Sequence, residues 1–290
     1  MNDQLRGLGT ALITPFKNDK SIDYEALDRI IDRQIAEGVD YIVVLGTTGE
    51  AATLTETEKS EIQQHVAQYV CHRVPLVLGM GGNNTAQLTD RIRKTDLSPY
   101  AALLSVCPFY NKPSQEGLFQ HFCAVAEASS IPVILYNVPG RTGVNLLPET
   151  VMRIYAAQPG KIAGVKEASG NVAQIKELIR LAKDKLWVIS GDDGITSELM
   201  EAGAAGLISV AANAFTSDFR KIVYNTGNEG ATLQQRYAEL VRLLFVEGNP
   251  AGIKTVLAQM GIIQNELRLP LVSNSEQVRQ EIREAMESLQ

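Results

Sequence analysis

The sequence predicts an α/β protein built as a (β/α)8 TIM barrel with a C-terminal helical appendage. Three observations predict it. Short apolar runs alternate with longer amphipathic segments, the pattern of parallel strands buried on both faces and joined by crossover helices. Eight such units fall between Leu8 and Tyr224, the span of a closed barrel of this type. Beyond about residue 228 the alternation stops and helical periodicity alone remains. A doubly wound sheet would share the alternation, but eight evenly spaced units favour closure.

The units follow in order. A strand over 8–16 leads to a helix over 23–37, with Gly38 after its last periodic residue. A strand over 41–45 precedes a helix over 55–70, whose Thr55-x-x-Glu58 start has capping-box spacing. A strand over 74–80 pairs with a helix over 85–94. A strand over 100–106 leads to a helix over 114–129, where Ser114 after Pro113 supplies a cap and Glu116 an acid. Strands over 132–138 and 162–168 precede helices over 148–157 and 171–183. A strand over 186–191 precedes a helix over 195–202, stopped at Gly203, and a strand over 205–210 precedes one over 215–224. The barrel is expected over 1–227. The region 228–290 reads as helices over 233–247, 250–260 and 274–289.

Composition excludes several classes. Hydrophobic residues make up 45% and charged residues 21% of 290, which is unlike a disordered chain. A net charge of −6 leaves no nucleic-acid footprint. Cys71, Cys107 and Cys123 form no disulfide framework and no C-x-x-C pair. Met1 to Gly9 lacks an apolar signal core, and no run is long enough to span a bilayer. A reduced cytoplasmic location is the expectation.

In a barrel of this kind chemistry gathers at the C-terminal ends of the strands. The sixth expected strand ends at Lys166. An amine at the end of such a strand lies against a desolvated wall, which disfavours its charged form. A neutral amine attacks ketones and forms a Schiff base. The fifth ends in Tyr136-Asn137-Val138-Pro139-Gly140-Arg141-Thr142, bringing a phenol able to carry protons and a guanidinium able to hold a carboxylate. The second ends in Gly46-Thr47-Thr48-Gly49-Glu50, whose glycines free backbone N–H groups for an anion and whose hydroxyls add donors. The fourth ends in Cys107-Pro108-Phe109-Tyr110-Asn111-Lys112-Pro113, where Tyr110 could be a lid, a subunit contact or a relay phenol. The eighth ends in Ile208-Ser209-Val210, suited to a pocket wall.

Each motif alone has an ordinary structural explanation: a tight turn, a satisfied core tyrosine, a solvated loop charge. Gly79–Asn84 lacks the G-x-G-x-x-G spacing of a dinucleotide loop. Asp192 and Asp193 after Gly191 lack a third metal ligand in register and are better explained by helix capping. Convergence on one end of the barrel favours chemistry: a keto acid condensed through a lysine imine.

Gly46-Thr47-Thr48-Gly49-Glu50, Tyr136-Asn137-Val138-Pro139-x-Arg141-Thr142 and Gly164-Val165-Lys166 together resemble the dihydrodipicolinate synthase / N-acetylneuraminate lyase family. The likeness also takes in Thr10-Ala11-x-x-Thr14-Pro15-Phe16 and Asn111–Gly117, and so essentially the whole chain. Arg141 resembles the synthase branch rather than the lyase branch. The resemblance implies pyruvate bound as an imine on Lys166, its carboxylate held by the Thr47–Thr48 loop. It implies a proton relay of Tyr136, Thr47 and a Tyr110 from a neighbouring subunit. Arg141 would hold the carboxylate of aspartate semialdehyde, and Gly191 and Ile208 would line the pocket. No metal and no organic cofactor is implied, because the lysine is the electron sink. A homotetramer built as two tight dimers is implied, with no nucleic-acid or membrane partner. Lysine-sensitive members carry other groups where this chain has Glu56, Lys59, Gln87 and Phe109, although Asn83 matches, so feedback by lysine is expected to be weak or absent. Two other readings stand beside this one. A pyruvate-dependent aldolase for keto sugar acids would keep Lys166 and Tyr136 without needing Arg141. A non-catalytic binding paralogue would be expected to lose one of the three motifs, and all three are present.

Overall fold

The structure, a computed structural model, describes residues 3–183 and 185–289. Met1 and Asn2 of the opening stretch and Gln290 at the end of the 228–290 region lie outside them. The strands β1 (Gly7–Ala11), β2 (Tyr41–Val44), β3 (Leu76–Gly79), β4 (Ala102–Val106), β5 (Val133–Asn137), β6 (Ile162–Glu167), β7 (Trp187–Ser190) and β8 (Gly206–Ser209) close into one parallel barrel in chain order. The closing seam sets Gly7 opposite Gly206. A Cβ on Gly206 would stand 2.0 Å from the Gly7 carbonyl oxygen, so glycine is required there for the seam to close.

Each expected strand is present, but the first is cut short. It ends at Ala11 rather than continuing to Phe16. Beyond it Ile13 N–H donates to Asn213 Oδ1 at 3.1 Å, the Thr14 hydroxyl donates to the Gly49 carbonyl at 2.7 Å, and Pro15 has no N–H for a ladder. An apolar run with strand periodicity therefore becomes a loop stitched to its neighbours.

The helices between strands are α1 (Tyr24–Ala36), α2 (Glu56–Val70), α3 (Thr85–Lys94), α4 (Gln115–Ala128), α5 (Pro139–Thr142), α6 (Pro148–Ala157), α7 (Val172–Ala182), α8 (Thr196–Glu201) and α9 (Ala212–Tyr224). Thr55 and Glu58 form the expected capping box, and Ser114 caps α4 through the Gly117 N–H. The single turn α5 has too short a signature for periodicity to reveal. Helix α9 begins before the expected 215 and carries a kink at Phe215 (φ −131°, ψ 47°). Then follow α10 (Asn228–Phe245), α11 (Ala251–Gln259) and α12 (Glu276–Glu287), with α10 packed on α8, α9 and α12. None of the described helices is long and apolar enough to cross a membrane.

The core has two layers. One lies between strands and helices, where Leu8, Ile42, Leu78, Leu103, Leu135 and Val165 meet buried faces of the helices. The other fills the barrel with Tyr41, Val43, Val77, Leu104, Ile134, Tyr136, Ile189 and Ile208. Strand residues alternate between the two, and this sorts functional side chains from structural ones.

The segment between α11 and α12 is tied to α2 by Arg268, whose guanidinium donates to both oxygens of Glu58 at 2.6 and 2.8 Å. That fork holds the Glu58 carboxyl at a pKa of about 2. A depressed carboxyl pKa stabilises the fold above the unfolded value near 4.5, and the gain is lost as pH falls from there through about 2. Glu58→Gln should therefore lower the unfolding midpoint at pH 7 and leave it unchanged at pH 2, as read by thermal melts across that range.

Candidate active site

Lys166 and Tyr136 are register partners at the ends of β6 and β5 and both point into the barrel. Lys166 is only 6% exposed, and its Nζ stands 4.4 Å from the centroid of the Tyr136 ring. The amine therefore lies beside a phenol in an apolar enclosure. Space for it is made by Gly191: a Cβ there would come within 2.9 Å of Lys166 Cε. Ile208 is buried and inward-facing on β8.

The strand ends are locked from behind by a pair the sequence reading passed over. Asn137 and Glu167 follow the two inward residues and face the helices. Asn137 Nδ2 donates to Glu167 Oε2 and Oε1 at 3.0 and 3.2 Å, and Ser169 N–H donates to Oε1 at 2.8 Å. Burial raises the Glu167 pKa while these donors hold it down. Alternation makes the arrangement possible: each chemical residue has a structural one next to it, anchored on the opposite face.

The 46–53 loop is a pair of 3-10 turns, Thr47–Gly49 and Ala51–Thr53. The left-handed backbone falls at Leu45 (φ 56°) and Glu50 (φ 53°), not at the two glycines. Left-handed non-glycine residues are strained and persist only where their surroundings over-determine them. Here the surroundings are explicit. Thr48 is buried and its Oγ accepts from Asn249 Nδ2 at 3.0 Å. Gly49 accepts from Thr14. Glu50 is buried in an ion pair with Lys254, and its other oxygen accepts from Arg268 N–H at 3.3 Å. Within Gly46–Glu50, Thr47 alone is exposed.

A cavity of about 850 Å³ opens at this end of the barrel, lined among others by Thr47, Tyr136, Arg141 and Asn249. Arg141 rides on α5, exposed, with its guanidinium in no hydrogen bond or ion pair among the described residues. Lys166 sets its Nζ over the Tyr136 ring and, like Thr48, Gly191 and Ile208, is not among the residues that line this cavity. Tyr110 stands apart: it is 89% exposed, on a left-handed backbone (φ 73°), in a loop pinned by Asn83 Nδ2 to the Phe109 carbonyl at 3.2 Å. Burial pushes the Cys107 thiol pKa upward, so Cys107 is no nucleophile at neutral pH.

One expectation needs correcting. Neither Asp192 nor Asp193 caps the helix that follows them, since α8 begins after Ile195 with no side-chain cap. The Asp193 carboxylate instead accepts from Val210 and Ala211 N–H at 3.0 and 3.2 Å, at the entry to α9. Burial pushes its pKa up to about 6. Asp192 closes its own turn, accepting from Gly194 N–H at 2.9 Å.

The dihydrodipicolinate synthetase family model matches residues 4–289. The chain belongs to that family. Among relatives of this synthetase family is the 4-hydroxy-tetrahydrodipicolinate synthase of Parabacteroides distasonis, 49% identical over 98% of this chain and 97% of the relative. Solved dihydrodipicolinate synthases superpose over nearly the whole fold. A monomeric variant has a TM-score of 0.94 at 38% identity, covering 99% of this chain and 97% of its own. The chloride-inhibited enzyme of Acinetobacter baumannii, complexed with pyruvate, has a TM-score of 0.94 at 38% identity, covering 98% and 99%. Family members thus share the barrel together with its C-terminal helices.

Proposed function

We propose that this chain is a lyase of the class I aldolase type that condenses pyruvate with L-aspartate 4-semialdehyde. The product would be 4-hydroxy-tetrahydrodipicolinate, in diaminopimelate and lysine biosynthesis. The carrying observation is Lys166, buried at the end of β6 against Tyr136, in a chain that is 49% identical over nearly its full length to a synthase of that name.

The chemistry follows from the residues. The Lys166 amine attacks the pyruvate carbonyl carbon and water leaves, giving an imine. The imine acidifies the methyl group, a base takes one proton, and the enamine carbon attacks the aldehyde. The amine of the second substrate then displaces Lys166, closing the ring. Tyr136 and Thr47 carry protons, and Tyr110 of a neighbouring subunit extends the relay. Thr48 holds the pyruvate carboxylate, Arg141 the carboxylate of the semialdehyde, and Gly191 and Ile208 shape the pocket. No group other than the lysine is needed as an electron sink. Support for Tyr110 acting across an interface is its 89% exposure on a strained backbone. It makes activity depend on a homo-oligomer, a tetramer of two tight dimers, and a fully active monomer would overturn that part.

The test is a substrate panel. With pyruvate present, aspartate semialdehyde should be consumed far faster than N-acetylmannosamine or short sugar aldehydes, and Arg141→Ala should erase that preference. Equal turnover of the sugar aldehydes would point to a keto sugar acid aldolase instead.

The Glu56 region bears on regulation. Lys59 Nζ is bonded to Glu56 at 2.6 Å, with Arg91 3.6 Å from the same carboxylate. An amino acid effector would have to compete with this pair. L-lysine at millimolar concentration should change the rate by less than about twofold, and inhibition at micromolar concentration would contradict this.

A further inference from the structure

Among the buried polar residues of the cavity wall, Asn249 stands directly against a group of the proposed reaction that it is not itself part of. Asn249 is 5% exposed, lines the cavity, and donates from Nδ2 to Thr48 Oγ at 3.0 Å, while its own Oδ1 has no hydrogen-bond partner among the described residues. A hydroxyl that accepts at its oxygen from an amide must point its proton elsewhere. The Thr48 hydroxyl makes no other hydrogen bond among the described residues, so its proton is uncommitted. The geometry is braced at both neighbours. Gly49 is held by Thr14, and Glu50 by the buried Lys254 five residues beyond Asn249. Lys254 in turn donates to the Glu266 carbonyl at 2.9 Å and stands 4.2 Å over the Phe16 ring.

We propose that Asn249 is a positioning residue for the condensation: by donating to Thr48 Oγ it aims the Thr48 hydroxyl proton at the carboxylate of the bound keto acid, with the Glu50–Lys254 pair keeping loop and helix in register. This rests on the reading that Thr48 holds that carboxylate. A group acting in this way governs how well pyruvate is held more than how fast the imine reacts. Its polarity matters more than its bulk. An aspartate of the same shape can only accept, so it would draw the Thr48 proton to itself. An alanine leaves the hydroxyl free to turn.

The experiment measures pyruvate KM and kcat for Asn249→Asp and Asn249→Ala, each also in a Thr48→Val background. Thermal midpoints and borohydride trapping of pyruvate by intact mass accompany every protein. Asn249→Asp is expected to raise the pyruvate KM by about thirtyfold, the scale of a hydrogen bond to a charged group, with kcat at saturation within about threefold. Asn249→Ala should raise KM by only about fivefold, and in the Thr48→Val background the aspartate penalty should shrink to about twofold or less. If alanine is as harmful as aspartate, the role is packing and the proposal fails. If the aspartate penalty persists in full without the Thr48 hydroxyl, it is plain charge repulsion and the proposal fails too. Should the aspartate variant not fold, the alanine cycle decides: coupling of at least about threefold supports the proposal and strict additivity overturns it. Failure of the wild type to trap pyruvate overturns the imine reading and this proposal with it. Trapping in the wild type without coupling overturns only the positioning role.

Discussion

Lys166→Met should abolish turnover, lowering kcat by at least about 10⁴-fold, the scale seen when an enzyme's covalent nucleophile is removed. That corresponds to about 5.5 kcal/mol of barrel-enclosed chemistry carried by one amine. Methionine keeps the apolar stem in the slot opened by Gly191, so the fold should survive with little change in its melting midpoint. The measurement is a rate assay paired with borohydride trapping, where the wild type gains a pyruvyl adduct mapped to the peptide containing Lys166 and the variant gains none. No other lysine in the described structure shares the barrel lumen with Tyr136, so an activity within about a hundredfold of wild type would remove the imine mechanism altogether.

The second large effect lies on the stability side. Lys254 and Glu50 are both fully buried, and the pair closes the loop that carries Thr47 and Thr48. Burial pushes the Lys254 pKa down to about 8, with Glu50 pulling the other way. Lys254→Met would leave the Glu50 carboxylate uncompensated in the interior, which costs about 3–5 kcal/mol, and would strand the Glu266 carbonyl as well. For a chain of this size the melting midpoint should fall by roughly 10 °C. The double variant Glu50→Gln with Lys254→Met removes both charges and should recover much of that loss, because the penalty belongs to the unpaired ion rather than to the missing pair. Thermal unfolding of the two variants side by side checks this. A single variant within about 1 kcal/mol of wild type, or a double no better than the single, would show that water reaches the site and screens it.

The barrel was legible because its signal is repeated. Eight apolar runs with amphipathic helices between them, several opened by a capping side chain, over-determine the architecture, so errors at single boundaries, such as the first strand continuing past Ala11, did not disturb it. Lys166, Tyr136 and the Gly46–Glu50 loop were legible because each ends a strand, where side chains reach the open mouth. The partners that hold them were not. Asn249 is separated from Thr48 by 201 residues, and Lys254 from Glu50 by a similar span. Neither has a local spacing that announces the contact. Asn137 lies inside a quoted motif and Glu167 directly follows one, yet their role as anchors emerged only from the register of β5 against β6. Asp193 went to the next unit's helix because the β7 and β8 ends are neighbours in the closed barrel, and local capping logic cannot see that.

The sequence by itself determined the order and kind of the eight strands and the main helices, the family, and the candidate residues for its chemistry. Periodicity, caps and side-chain chemistry are local properties written along the chain. Only the tertiary structure decided which face each strand residue presents, because strands buried on both faces are apolar throughout and carry no inside–outside pattern of their own. Closure of the barrel sent Lys166 and Tyr136 inward and Glu167 and Asn137 outward, and brought the C-terminal helices up against the 46–50 loop. The buried ion pair and the amide on Thr48 exist because groups far apart in sequence must satisfy one another once water is excluded.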